Sequence, residues 1–443
     1  HWHGIRQLGS NDMDGVNGVT QCPIAVGDTF TYKFNLTQYG HSWYHSHYSM
    51  QYGEGVAGPL LIHGPNSMNW DEEWSPILIN DWLHGNSYVE LGKELIGNLI
   101  DPGLPVGDSI LVNGTGRFEG KGKLFERKFE AGKKYLIRII NASVGMHFNF
   151  AIDNHLLNVI STDFVPIKPY NTTSLSVGIG QRYSVVVEAK PDTPSSNGRY
   201  WMRTEFSQGL CTTGVKGAST QDLQRTGIIS YSDSTSTEDP NTSRHRDMKT
   251  GCDDESQTHV HEPLLRWQVT EPQNDVSRNT YSAGLENNEK FHGFFRWDIM
   301  DTPMWLNFSN PTILNLDNTT WSPEYAVVDY NYHDEKKFVY MVITSGGGSR
   351  LGDKTKTALP HPMHLHGHDF AIIGQSSQTW DPVESPKNFH FDNPPRRDVA
   401  MLPAGGYLAI AFKPDNPGAW VLHCHIAWHA SSGMLTPCEL YER

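Results

Sequence analysis

Residues 43 to 51, WYHSHYSMQ, and residues 421 to 429, VLHCHIAWH, are two copies of one pattern, and this duplication constrains the fold more than any other feature. Aligned, the copies set His45 on His423 and His47 on His425, so the first and last parts of the chain read as homologous domains. The early copy carries Ser46, Gln51 and Val56 where the late copy has Cys424, His429 and Met434. A second alignment sets HWHG, residues 1 to 4, on HLHG, residues 364 to 367. The result is four H-x-H pairs: His1/His3, His45/His47, His364/His366 and His423/His425. On a strand, residues i and i+2 share a face roughly 7 Å apart, so eight imidazoles can converge where the two domains meet. Cys424, lying between His423 and His425, then projects to the opposite face.

The rest of the chain supports strands. Runs such as DTFTYKFNL, KKYLIRIIN, RYSVVVEA, FVYMVIT, YLAIAF and AWVLHCHI are β-branched and aromatic and are separated by turn residues. With 41 glycines and 26 prolines, this spacing predicts an all-β chain of Greek-key sandwiches or barrels. Residues 232 to 256 are polar without apolar periodicity and read as a linker or surface excursion, and another joint falls near residues 63 to 74.

A formal net charge of -14 excludes a nucleic-acid partner, which would require a basic face. No apolar run of about 18 residues is present, so no membrane-spanning helix is expected. Seven N-x-S/T sequons, at Asn35, Asn113, Asn141, Asn171, Asn241, Asn307 and Asn318, together with pairable cysteines, predict an extracellular, secreted protein. Of the five cysteines, Cys424 is the natural odd one, because a metal thiolate cannot also form a disulfide. Cys211 with Cys252 would close a loop around the linker. The chain starts at His1 in mid-motif and is read as a fragment.

Imidazole suits zinc, copper, iron and nickel alike; the cysteine narrows the choice. On its side of the strand, His361 and His429 can complete a His2Cys set with Met434 as a weak axial ligand, the arrangement of a blue-copper electron-transfer centre. One peptide unit in either direction joins that centre to a histidine of the second cluster. A single H-x-H pair is common by chance: His259/His261 in the linker is read as structural or solvated. His41 and His368, which flank the motifs, are read as hydrogen-bonding residues.

HWHGIRQLGSNDMDGVNGVTQCPIA, HSWYHSHYSMQYGEGVAGPLLIHGP, HPMHLHGHDF and HCHIAWHASSGM resemble the four copper motifs of multicopper oxidases, and their wording is similar to laccases of ascomycete fungi. The resemblance implies three cupredoxin-like domains: residues 1–66 (N-terminally truncated), 67–240 and 262–443, the last with the type 1 copper and preceded by a linker at 241–261. It implies four copper ions. His1 and His364 would hold the type 2 copper, and His3, His45, His47, His366, His423 and His425 the type 3 pair. It implies one-electron oxidation of phenols or diphenols coupled to four-electron reduction of dioxygen to water, by a monomer. Asp14, in NDMDG, matches the family position of a proton relay near the type 2 copper. Asp163, in NVISTDFVP, matches an acidic substrate contact that would take the phenol proton. The exposed edge of His429 would accept the electron.

The pattern also departs from the family. Met434 stands where ascomycete laccases usually have leucine, and a coordinating thioether lowers the potential. That keeps bilirubin-oxidase-like or ascorbate-oxidase-like activity open. Ala427 leaves its segment without an acid. A metallo-oxidase would want an acidic cluster beside His361 or His429, and the neighbouring segments offer none; an inactive copper-binding fragment is the reading from outside the enzymes. By the resemblance, the first strands of domain one and the usual tail are absent, and Cys22 would pair with a C-terminal cysteine, for which Cys438 is the available mate.

Overall fold

The computed structural model describes the chain except for residues 97–104, 208–223, 253, 255–259, 273–278, 288–293, 301, 319, 326–327, 331–337, 347–357 and 441–443. Two regions each build a pair of stacked sheets. In the middle region, a five-stranded sheet runs from Leu175–Val177 through Phe148–Ile152, Arg199–Phe206 and Arg225–Tyr231 to Phe125–Phe129. It faces a larger sheet that includes Lys134–Asn141, Leu157–Thr162 and Arg182–Glu188. Neighbours out of chain order are the signature of Greek-key crossings. Alternating inward residues of both sheets, including Ile137, Ile139, Phe148, Phe150, Val185 and Val187, form one core.

The last region stacks a six-stranded sheet on a five-stranded one. In the latter, Gly418–Cys424 lies between Leu435–Leu440 and His361–Leu365. Its register places Met363 opposite Cys424 and His364 opposite His423. Since side chains alternate, this pairing puts His364 and His423 on one face and Cys424, with His361, on the other. The spacing H-P-M-H-L-H thus serves two faces of one strand.

The first region is smaller than a sandwich. Among the described residues its ladder is one antiparallel pair, Gly40–His45 with Ala57–Ile62. The run DTFTYKFNL, read above as a strand, makes no ladder, because a strand requires a neighbour and these residues are mostly exposed. The hairpin borrows its core: Trp43, Met50 and Tyr52 join Leu422, Cys424 and Ile426 of the last region in one apolar cluster. The runs KKYLIRIIN, RYSVVVEA, FVYMVIT, YLAIAF and AWVLHCHI all lie on strands.

The polar stretch read as a linker or surface excursion is mostly exposed from 232 to 251, and buried residues at its end anchor it. Asp254 is fully buried and accepts hydrogen bonds from Gln181 Nε2 at 2.8 Å and the Met401 N–H at 3.1 Å. His261 is buried with Nε2 3.1 Å from the Tyr170 hydroxyl, while His259 lies outside the described residues. Cys252 is disulfide-bonded, and its expected mate Cys211 lies outside the described residues. The expected Cys22–Cys438 bridge is not formed: Cys22 is an exposed thiol, whereas Cys438 is buried in a strand beside Trp420.

Candidate metal centre

The eight histidines of the four pairs do converge. Ligand-capable atoms of His3, His45 and His425 lie within 4.8 Å of one another, as do those of His47, His366 and His423, and those of His1, His3 and His364. His425 Nε2 is 3.2 Å from His3 Nδ1, and His366 Nε2 is 3.1 Å from His423 Nε2. Seven of the eight rings are almost fully buried and His47 is half-buried.

The outer nitrogens of several rings are held. His1 Nδ1 donates to the Asp14 carbonyl at 2.8 Å, His364 Nδ1 to the Asp398 carbonyl at 2.8 Å and His423 Nδ1 to the Cys424 carbonyl at 2.8 Å. His45 Nδ1 donates to the Ser46 carbonyl at 3.1 Å. A donor at Nδ1 leaves Nε2 with a lone pair, and Nε2 of His1, His45, His47 and His364 is buried without a hydrogen-bond partner. Orphaned acceptors at this density are what a metal cluster fills. Burial first, and neighbouring imidazoles second, hold His45, His47, His364, His366 and His425 neutral, as ligation requires.

On the other face, His361 Nδ1 and His429 Nδ1 are 3.2 Å apart, and each points at Cys424 Sγ, from 3.6 and 3.5 Å. All three residues are buried and Met434 is fully so. Burial pushes the Cys424 thiol well up, so the pocket by itself opposes a thiolate. A cation inside the triangle inverts that preference and deprotonates the thiol. The donor set and its spacing therefore fit copper.

Each family model of the multicopper oxidases finds its own stretch, at residues 1–67, 73–234 and 297–441. The chain is 43% identical to a laccase of Arthroderma benhamiae over 98% of this chain and 68% of that protein. The chain belongs to the multicopper oxidase family. It is also 43% identical to laccase-2 of Botryotinia fuckeliana over 98% of this chain and 71% of that one. The crystal structure of the laccase from Botrytis aclada superposes with a TM-score of 0.87 at 41% identity, covering 99% of this chain and 77% of that one. The fold is thus mostly β and of the cupredoxin type seen in multicopper oxidases.

Asp14 is fully buried, with Oδ2 2.8 Å from His366 Nδ1 and Oδ1 3.2 Å from His1 Nδ1. Asp163 lies in a different setting. Its carboxylate is 1% exposed, accepts from Arg397 Nη2 at 3.1 Å and Arg397 Nε at 3.2 Å, and takes the backbone N–H groups of Arg182, Asp398 and Val399. Its φ of 51 is a left-handed conformation that these contacts hold. Burial alone would raise the carboxyl, but the Arg397 and Arg182 guanidiniums outweigh it and hold Asp163 at about 2. A carboxylate so shielded and saturated cannot receive a substrate proton, so the expected substrate contact is corrected to a clamp between the middle and last regions.

His429 is also less open than expected. It is 3% exposed, and its ring lies flat against Trp297 with centroids 3.7 Å apart. His41 and His368 make the hydrogen bonds expected of them, to the carbonyls of Ile139 and His366.

The residue that motif reading missed is Asp398. Its Oδ1 is 3.4 Å from His3 Nε2, and its Oδ2 accepts from Arg182 Nη2 at 2.6 Å. Burial pushes Asp398 up to about 6 against the pull of Arg182, with the Asp163 charge adding to the rise. The available signal was the Arg-Arg-Asp run placed directly before the apolar VAML. Beside the cluster, a cavity of about 310 Å³ is lined by His45, His47, His423 and His425, with Trp305 and Phe308 toward the surface.

Proposed function

We propose that this laccase-type multicopper oxidase takes single electrons from phenolic donors and reduces dioxygen to water. One observation carries the reading: Cys424, aimed at two imidazoles, and His423 and His425, aimed into the eight-histidine cluster, are consecutive residues of one segment. Four coppers, when bound, supply four one-electron equivalents, the number that one dioxygen consumes.

His361, Cys424 and His429, with Met434, hold the type 1 ion. His1 and His364 hold type 2. His3, His45 and His425 hold one type 3 ion, and His47, His366 and His423 the other. The two sites are joined covalently through one residue on either side of Cys424. Asp14, against His1 and His366, keeps both rings in the ligating tautomer and holds a carboxylate where protons are consumed. The Asp398 backbone carbonyl does the same for His364, and its carboxylate stands 3.4 Å from His3 Nε2. The cavity beside His45, His47, His423 and His425 gives dioxygen its approach.

Six of the seven sequon asparagines are exposed and Asn141 is fully buried, donating to the carbonyls of Met146 and Val177. Together with the Cys252 disulfide, this supports a secreted glycoprotein. Among the described residues no helix is long and apolar enough to cross a membrane.

The test is copper-loaded protein with a diphenol in an oxygen electrode. Four coppers per chain, intense blue absorption and one dioxygen consumed per four electrons donated are expected. Copper binding without the blue absorption, or donor oxidation releasing hydrogen peroxide in place of water, would refute the reading.

A further inference from the structure

The helix Ser87–Ile96 belongs to the middle region, yet its Glu94 reaches the strand Phe295–Ile299 of the last region. Glu94 Oε1 accepts a hydrogen bond from Trp297 Nε1–H at 3.0 Å. The same indole stacks on His429 at 3.7 Å with an interplanar angle of 23°, and stands edge-on to His361 at 5.4 Å. Trp297 is 1% and Glu94 9% exposed, and Glu94 Oε2 is buried without a hydrogen-bond partner. A chain of contacts thus runs from a carboxyl of one region, through an indole, to the face of a proposed copper ligand in another.

The two metal faces differ in how their imidazoles are kept in place. Across the histidine cluster, backbone carbonyls hold the outer nitrogens of His1, His45, His364 and His423. On the sulfur side, His361 Nε2 is buried without a partner, and what bears on His429 is the face of Trp297. Groups that orient a ligand also tune its metal, so an orienting role falls to the indole and to whatever fixes it.

We propose that Glu94 is a positioning residue for the type 1 centre: by holding the Trp297 N–H it keeps the indole flat against His429 and so sets that ligand's ring plane and donor strength. This rests on the assignment of His361, Cys424 and His429 as type 1 ligands. The contact needs only an acceptor. Burial pushes the Glu94 carboxyl up to about 7, the Trp297 hydrogen bond drawing it back, and Oε1 accepts in the neutral and the ionised form alike. Glutamine offers the same acceptor, and leucine none.

The copper-loaded full chain is compared with Glu94→Gln, Glu94→Leu, Trp297→Phe and the Glu94→Leu/Trp297→Phe double variant, reading blue absorption, copper hyperfine splitting and type 1 potential. Glu94→Leu and Trp297→Phe should each move the type 1 reduction equilibrium by about threefold or more, roughly 28 mV for a one-electron couple. Glu94→Gln should stay near the parent, and the double variant should shift no further than either single change. Wild-type spectra and potential in folded Glu94→Leu would overturn the proposal, as would additive shifts or a Gln variant as perturbed as the Leu variant. Should Glu94→Leu not fold, an unchanged potential in Trp297→Phe overturns it equally. Absence of the blue absorption from the parent protein would refute the type 1 assignment instead, so the two failures are distinguishable.

Discussion

In the early repeat His45 ends a strand paired on one edge with Ala57–Ile62 and on the other with only the short segment at residues 1–3, whereas in the late repeat His423 lies on a strand held between two full strands. Both present imidazoles to the same cluster, but only the late strand has a buried second face. There Cys424 meets His361 and His429 in a pocket closed to water. The matching Ser46 is half-buried and spends its hydroxyl on Gln51 Oε1 at 2.7 Å. Val56, the match of Met434, is 51% exposed. A copper-binding nitrogen pair can be built on a hairpin that borrows its core; a thiolate site requires a sandwich with two covered faces.

The largest effects should come from the cysteine itself. Cys424→Ser should abolish the blue absorption and phenol turnover while copper still binds to the histidine cluster, as copper analysis and absorption would show. Its mirror, Ser46→Cys, should create no blue absorption, because neither Gln51 nor Val56 supplies the missing ligands. Blue colour in Ser46→Cys would break the comparison, and normal turnover in Cys424→Ser would remove the electron path through that residue.

Asp163 carries the next largest effect, and it acts on stability. Asp163→Asn leaves Arg397 and part of Arg182 uncompensated in a buried site, a change that costs about 3 to 5 kcal/mol, to be measured by denaturant unfolding. Because the folded pKa is depressed, from 3.8 to about 2, the ion pair's contribution is complete at pH values above the unfolded value. It is lost as pH falls through about 4 to 2, and the variant's unfolding should lack that acid limb. Phenols and donors that lose no proton should be affected alike; a selective loss on phenols would restore Asp163 to the substrate.

Asp14→Asn should do less to stability and more to the cluster. It keeps the shape but removes the carboxylate facing His366 and His1, and outer-shell changes of this kind cost about 10- to 100-fold in activity or metal affinity. Blue absorption should survive, since the sulfur face is untouched. Loss of the blue absorption with the oxygen chemistry intact would reverse the roles given to the two faces.

The convergence of the histidine pairs and the separate face of Cys424 were legible because they are local: alternation along a strand fixes which of His361, His364 and His366 faces which way, and the repeat brings their partners to the same place. The strands were legible for the same reason, except DTFTYKFNL, whose composition suits a ladder that needs a neighbour. Asp163, Asp398 and Glu94 were not legible. Each acts through a residue of another region, Arg397, His3 and Trp297 respectively, and nothing in a single stretch of sequence encodes that meeting. Asp254 shows the same limit: its polar surroundings read as solvated, yet it is a buried acceptor for three segments.

Met434 gives the smallest and most selective test of the two repeats. Its carbonyl accepts the Cys424 N–H at 3.2 Å, and its fully buried side chain shares the apolar cluster with Cys424, so the residue is fixed beside the thiol. If its sulfur is the axial donor, Met434→Leu removes a ligand that favours the oxidised ion, and the potential rises. The exchange nearly conserves volume and should cost less than about 1.5 kcal/mol of stability, so the potential reports the sulfur rather than a disturbed core. A rise of about 59 mV corresponds to a tenfold shift in a one-electron equilibrium. Poor phenolic donors should then be oxidised faster, while transfer onward from the type 1 centre loses the same driving force, so turnover of good donors should gain little or fall. A potential unchanged in Met434→Leu would leave Met434 as packing alone, and the late repeat would then differ from the early one by its cysteine and its two imidazoles only.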